Sequence, residues 1–183
     1  VDEKLVLYRV NTLNYILEQT SQLAALIDRE DQGLKLIGSQ WLKLKQTKRI
    51  TNKPKVIYEI TEVPLTVAGS MNILADIIKA AGGIFINTGH RKMLRFNPDC
   101  IRVETEHFSG PGFNPESVLV FQPDIYIWQV GPMNQKPTPP SERGQYLSLN
   151  ADYLQVDQLQ YSRANLRSFD NVLELNHYFQ ERQ

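Results

Sequence analysis

Seven side chains in this sequence combine ligand-binding chemistry with a position at the end of an apolar run. Glu59 and Glu62 close the run that begins at Lys55, and Trp128 and Gln129 close the run from Asp124 to Val130 and lead into Gly131-Pro132-Met133-Asn134. Tyr161, Ser162 and Arg163 follow the run from Tyr153 to Val156. Carboxylates accept hydrogen bonds, an Arg fork donates them, and aromatic faces cover flat apolar groups. If the three runs are parallel strands, these groups converge on one rim, which suits a bulky polar ligand. Plainer readings stand beside this one: Trp128 as core, Tyr161 and Arg163 as ordinary surface loop residues.

Bond-making chemistry has little support. The sequence has no Gly-x-Ser-x-Gly elbow, no Walker phosphate loop and no dinucleotide fingerprint. Ala81-Gly82-Gly83 follows a helical pattern, where a phosphate loop would precede one, and so reads as a helix stop. No catalytic residue and no cofactor are assigned. His90, His107 and His177 lack metal-ligand spacing. In Glu104-x-Glu106-His107 a strand would put the two carboxylates on one face and the imidazole on the other, which suits a solvated edge better than a metal site. The single cysteine, Cys100, has no partner for a disulfide or a zinc site.

Composition bounds the class further. The 183 residues are 42% apolar and 22% charged, as in globular proteins, with twenty basic and twenty acidic side chains and zero formal net charge. That balance argues against nucleic acid as a partner. Lys43, Lys45, Lys48, Arg49, Lys53 and Lys55 form an acid-free basic segment that reads as a solvated helix end, with a phosphate-contacting stripe as the alternative. No aromatic interleaves them for base stacking. No apolar run approaches the roughly 20 residues of a membrane span, no secretory signal precedes Val1, and there is no initiator Met, so a processed or excised piece is expected.

The elements that must position these groups follow from periodicity. Val1 to Val10 reads as a strand end. Apolar residues at three- and four-residue spacing from Leu13 to Leu44 predict one long amphipathic helix over about 13–48, capped by Thr12 and on the order of 50 Å long, with a split at Gly33 or Gly38 as the alternative. Alternating strands and helices follow. Lys55–Ile60 is a strand and Gly69–Ala81 a helix capped by Ser70. Ile84–Ile86 is a strand, and an edge hairpin is expected around 101–107. Asn114-Pro115-Glu116 reads as N-cap, N1 proline and first-turn acid of a short helix ending near Phe121. Asp124–Val130 is a buried strand, Gly131–Pro140 a proline-rich loop, and Ser141 caps a helix to about Leu147. Tyr153–Val156 is a strand, and Ser168 opens a final helix to about Glu181. The result is an α/β protein with a mostly parallel sheet covered on both faces.

The ordered segments Lys55-Val56-Ile57-Tyr58-Glu59, Val67-Ala68-Gly69-Ser70, Asp76-Ile77-Ile78-Lys79-Ala80-Ala81-Gly82-Gly83, Pro115-Glu116-Ser117-Val118-Leu119, Gln122-Pro123-Asp124-Ile125-Tyr126-Ile127 and Tyr161-Ser162-Arg163 with Leu166-Arg167-Ser168 carry a resemblance. Together they resemble the carboxyl-terminal part of the ABC-transporter substrate-binding proteins that deliver iron-siderophores, haem and cobalamin. The resemblance covers essentially the whole chain, and its specificity lies in the order of the pieces. It implies a three-layer lobe with a mostly parallel central sheet flanked by helices. Residues 1–12 would be a remnant strand of a missing first lobe, 13–49 a long interlobe helix, and 50–183 the second substrate-binding lobe.

For function the resemblance implies capture of a metal chelate or corrinoid outside the cytoplasmic membrane, in the periplasm or with a lipid anchor, and delivery to an ABC permease without catalysis. Glu59, Glu62, Trp128, Gln129, Tyr161 and Arg163 are then the ligand-binding candidates, and Glu116 takes the position of the carboxylate that docks on permease arginines. Ala164-Asn165 departs from the family's usual proline and glycine, and the Gly131–Pro140 stretch is an unusual insertion. The long helix should expose an apolar stripe that favours self-association of the chain. The alternative is an interaction module without transport function that uses the basic segment 43–55.

Overall fold

The computed structural model of the chain describes residues 12–70, 72–86 and 114–183. The expectations for the strand at Val1 to Val10, for His90 and Cys100, and for the edge segment with Glu104, Glu106 and His107 lie outside the described residues.

Thr12 starts α1 (Leu13–Leu26), its hydroxyl accepting a hydrogen bond from the Tyr15 N–H. Leu13, Ile16, Leu17 and Ala24 form the buried face, spaced as one helical stripe. The Leu13 N–H donates to Asp76 at 2.7 Å, fixing the start of α1 against a later helix. The expected continuous helix is not formed: α1 ends at Leu26, with Ile27 as its C-cap, and α2 spans Glu30–Gln46. Asp28 has φ 54°, the Asp28 N–H donates to the Ala25 carbonyl, and the Arg29 N–H donates to the Ala24 carbonyl. This is a left-handed helix stop with both of its reverse hydrogen bonds, on a residue type whose short polar side chain tolerates that conformation. Glu30 and Asp31 in the first turn of α2 then suit the positive end of a new helix. Neither glycine breaks the helix. Gly33 instead lets α2 fold against α1, since a Cβ there would lie 2.5 Å from the Ala24 Cβ.

The sheet has the order β2-β1-β4-β5, with β3 also pairing with β1. Its strands are β1 (Lys55–Thr61), β2 (Thr66–Val67), β3 (Ile84–Phe85), β4 (Ile125–Val130) and β5 (Asp152–Asp157). Only β2 runs antiparallel, so the mostly parallel sheet is present. Alternation sends Val56, Tyr58, Ile60, Ile125 and Ile127 to one face. There they pack with α1, α3 (Ile73–Ala80) and α6 (Ser168–Gln180), and Ile37 and Leu44 of α2 pack on the same core. Ile57, Tyr126 and Trp128 face the other way, onto Val118 of α4 (Pro115–Phe121) and Tyr146. Helices and turns thus cover both faces, the three-layer α/β lobe expected.

Three local expectations are corrected. Asn72, not Ser70, caps α3, its side chain accepting from the Leu74 N–H. A short helix α5 (Gln158–Tyr161), capped by Asp157, follows β5 where a loop was expected. The helix expected from Ser141 is two 3-10 turns, Pro140–Glu142 and Gly144–Tyr146, interrupted by Arg143 in an extended conformation. The cause lies 84 residues away in the chain, where a buried carboxylate claims the Arg143 side chain.

Candidate functional site

The carboxyl ends of β1, β4 and β5 share one edge of the sheet because these strands are parallel and in register, Glu59 beside Trp128 and Trp128 beside Gln155. The proline-rich stretch after β4 lies over this edge and is tied down at several points. Arg143 Nη1 and Nη2 donate to Glu59 Oε2 and Oε1 at 2.6 and 2.9 Å, a two-point pairing inside the protein. Nε and Nη2 of the same guanidinium also donate to the Thr138 carbonyl at 2.9 and 2.6 Å. Tyr126 donates its hydroxyl proton to Glu59 Oε2 at 2.5 Å. Beside this pair, Glu62 accepts from the Thr138 N–H at 2.7 Å and lies 3.4 Å from Arg143 Nε. Asn134 donates to the Gln129 carbonyl and accepts from the Glu62 N–H, and the Met133 N–H donates to Gln158 Oε1 at 2.8 Å. Gly131 permits the close approach to α5, because a Cβ there would lie 2.5 Å from the Gln158 Cβ.

The electrostatics follow from burial. Tyr126 is held well above the usual phenol range, first by burial and then by the Glu59 charge. Burial alone would lower the Arg143 pKa, but the Glu59 hydrogen bonds and charge outweigh it and raise the guanidinium above its ordinary value. Gln129, fully buried, is a second hub. It accepts from the Tyr58 hydroxyl at 3.0 Å and from Ser162 at 2.5 Å, and donates to the Ile60 carbonyl at 3.0 Å. Every hydrogen-bonding direction of its amide except one N–H is thereby used, and Ser162, next to Arg163, is anchored.

The expected rim is therefore assembled differently from its sequence reading. Glu59, Gln129, Trp128 and Tyr161 are all buried and do not present themselves to solvent on this lobe. Trp128 packs with Ile57, Tyr126 and Tyr146, the core reading considered for it. The Tyr161 hydroxyl is buried without a hydrogen-bond partner among the described residues. Glu62 is half-buried and engaged, and Arg163 is exposed. What the edge does offer to solvent is Val63 at 86%, Met133 at 66% and Leu159 at 45% of full exposure. Val63 adjoins Glu62, and Leu159 adjoins Gln158, so each sits next to a residue bonded to the Met133-Asn134 tip. Lys136 is exposed on the same loop. Arg143 was missed by sequence reasoning, because nothing in Ser-Glu-Arg-Gly distinguishes a buried arginine from a solvated one.

The remaining candidates are elsewhere. Glu116 is exposed in the first turn of α4, with Asn114 accepting from its N–H, as the cap reading required. In the basic segment Lys43 pairs with Asp170 at 2.6 Å, and Asn176 binds both the N–H and the carbonyl of Lys48. Among the described residues no group of His, Cys, Asp and Glu side chains could hold a metal ion, and no helix is long and apolar enough to cross a membrane. Two depressions, of about 320 and 390 Å³, open at the opposite, amino edge of the sheet around Lys53, Asp124 and Arg182 and around Lys55, Gln122 and Ser148.

No protein-family model matches the chain, and no curated protein matches it in sequence. Solved structures do. An ABC-transporter substrate-binding protein from Listeria monocytogenes EGD-e superimposes with a TM-score of 0.68 at 16% identity, over 91% of this chain and 64% of that one. IsdE of S. aureus, solved with haem, gives 0.70 at 17% identity over 94% and 66%. The periplasmic vitamin B12 binding protein BtuF of Vibrio cholerae gives 0.62 at 13% identity over 94% and 63%. This chain thus has the fold of a large part of such receptors, the type expected from its ordered segments, and spans less than two thirds of the length of each of these three.

Proposed function

We propose that this chain is the second lobe, with its connecting helices, of a receptor that captures a metal chelate or corrinoid outside the cytoplasmic membrane and hands it to an ABC importer. The observation that carries the reading is the superposition of over nine tenths of the chain on an ABC-transporter substrate-binding protein, on IsdE complexed with haem and on a periplasmic vitamin B12 binding protein. A parallel sheet whose carboxyl edge bears a rigidly held loop is a suitable cleft wall for that task. Glu116, exposed on its short helix, is the proposed contact to a permease arginine. Residues 50–183 form the lobe in this reading, 13–49 connect it, and 1–12 belong to the first lobe.

A lobe alone supplies half of a cleft. Titrating the 183-residue chain with haemin, cobalamin and a ferric trihydroxamate is expected to give dissociation constants weaker than about 100 µM. Nanomolar binding by the isolated chain would show that no second wall is needed. The absorption spectrum of the protein purified at its natural length from its source tests the role itself, since the three chelate classes absorb differently. A preparation that carries none and takes up none of them would overturn the reading.

The elbow between α1 and α2 fits the same picture. Leu23, Leu26, Ile27, Leu34, Trp41 and Leu42 are exposed along α1 and α2, a concentration of large apolar side chains that globular proteins usually cover. The portion of the two-lobed structures that this chain does not span is the proposed cover. The isolated chain should therefore self-associate through this face. A concentration-independent monomer by sedimentation velocity across the micromolar range would remove the argument.

A further inference from the structure

The end of the basic segment lies at the amino edge of the sheet, opposite the proposed cleft wall. Lys48, Arg49, Lys53 and Lys55 are exposed there and have no ion-pair partner among the described residues. The strap that bears them is irregular yet fixed. Asn176 of α6 accepts from the Lys48 N–H and donates to the Lys48 carbonyl, Ile50 is buried against Gly82, and Asp124 Oδ2 accepts from the Lys55 N–H at 2.6 Å. Little backbone ordering is therefore left to lose when a ligand arrives. The acids around the edge are fewer. Asp152 pairs with Arg182 at 2.6 Å, Glu181 lies 3.2 Å from His177, and Asp124 has no ion-pair partner among the described residues. Even with Asp124 and Glu181 both counted as free, the four cations predominate.

Two depressions border this array and share Asp124. One, of about 320 Å³, is lined by Asn52 and Lys53, and the other, of about 390 Å³, by Lys55, Ser148 and Asn150. Each sets a free cation, suited to a phosphate, beside amide or hydroxyl groups suited to alcohols. Asp124 stands between them as an acceptor. It repels a ligand that offers only negative charge, and it accepts from a ligand whose hydroxyls lie between its phosphates.

We infer that this edge binds a linear polyol-phosphate chain, with successive phosphates at Lys53 and Lys55 and the intervening hydroxyl on Asp124. Lys48 and Arg49 add attraction for the rest of the chain. The site stands on groups at the edge away from the cleft, so it does not depend on the chelate-receptor reading.

Amide chemical shifts of the ¹⁵N-labelled 183-residue chain test this at about 150 mM salt, where attraction between exposed charges is screened beyond about 8 Å. Poly(glycerol phosphate) is expected to shift the amides of Asn52, Lys53, Lys55, Asp124 and Asn150 and to leave those of Met133 and Leu159, at the carboxyl edge, unmoved. Lys53→Gln and Lys55→Gln are each expected to weaken it about two- to fivefold. Glycerol 3-phosphate reaches one depression only and should bind at least about tenfold more weakly than the polymer. Inorganic polyphosphate, which has no hydroxyls, should also bind more weakly. Tighter binding of polyphosphate would show that charge alone is read, and equal binding of the monomer would remove the bridging between depressions. Either result overturns the inference, as does binding unchanged in both lysine variants. A polymer that shifts no amide overturns it too, and sedimentation of the chain with phosphatidylglycerol vesicles would then assign the edge to a membrane surface instead.

Discussion

Arg143→Met is expected to lower the free energy of unfolding by about 3–5 kcal/mol, the cost of leaving one member of a buried ion pair alone. Arg143 is 4% exposed in its side chain and Glu59 not at all, so neither charge can recover its hydration when the other is removed. The methionine also abandons the Thr138 carbonyl, which receives two of the guanidinium hydrogen bonds. Arg143→Lys keeps the charge but not the two-point geometry, and should fall between. The informative comparison is the cycle with Glu59→Gln. An amide needs no counter-charge, so the double variant should be more stable than Arg143→Met alone, with a coupling energy above about 1.5 kcal/mol from urea denaturation. Additive losses, or a loss below about 1 kcal/mol for Arg143→Met, would show that the pair contributes little. The same variants bear on the rim, because the pair spans the gap between β1 and the loop that carries Met133 and Lys136.

Stability should also fall steeply in alkali. Tyr58, Tyr126 and Tyr161 are almost completely inaccessible, and burial first of all raises each of their pKa values far above that of an exposed phenol; the charges of Glu59 beside Tyr126 and Glu174 near Tyr161 push in the same direction. With the folded pKa raised, the folded chain keeps protons that the unfolded chain releases above about pH 10. The contribution is therefore intact below that pH and is lost as pH rises through it. Each tyrosine costs about 1.4 kcal/mol per pH unit, and the three together about 4 kcal/mol per unit. Tyrosinate absorbance should consequently appear together with loss of near-ultraviolet circular dichroism. Tyr161→Phe isolates one contribution, since its hydroxyl has no hydrogen-bond partner among the described residues. That variant should match the parent near neutrality and show an alkaline slope smaller by about 1.4 kcal/mol per pH unit. Ionisation of all eight tyrosines in a chain that remains folded would contradict the expectation.

How much of this was legible beforehand depends on the range of the physics involved. The cap at Asn114-Pro115-Glu116 was readable because its parts are neighbours, and α4 begins and ends where they place it. The strands were readable because burial on both faces of a parallel sheet leaves continuous apolar runs such as residues 125–128 of β4. The break at Asp28 was within reach as well. An acidic residue at the helix end, followed by Glu30 and Asp31, carries both the stop and the new start, but the unbroken apolar spacing from Leu13 to Leu44 masked it.

The shared edge of the strand ends was legible, and which of its residues are buried was not. Parallel strands put their carboxyl ends together, so the rim could be located from the order of elements alone. Which residues on it meet solvent could not, because a carboxylate at a strand end reads the same whether it faces water or a buried arginine. Glu59 and Arg143 are 84 residues apart, and only the folded chain brings them to 2.6 Å and withdraws them from the surface. Gln129 and Tyr161 were drawn inward for the same reason, each filling a space defined by several distant elements. By itself the sequence determined the alternation of strands and helices, the hydrophobic layers and the shared carboxyl edge of the strands, since these follow from neighbours within a few residues. The tertiary structure alone decided which charges are spent inside the lobe and which, on Lys136 and Arg163, stay exposed, because pairing and desolvation depend on approach in space.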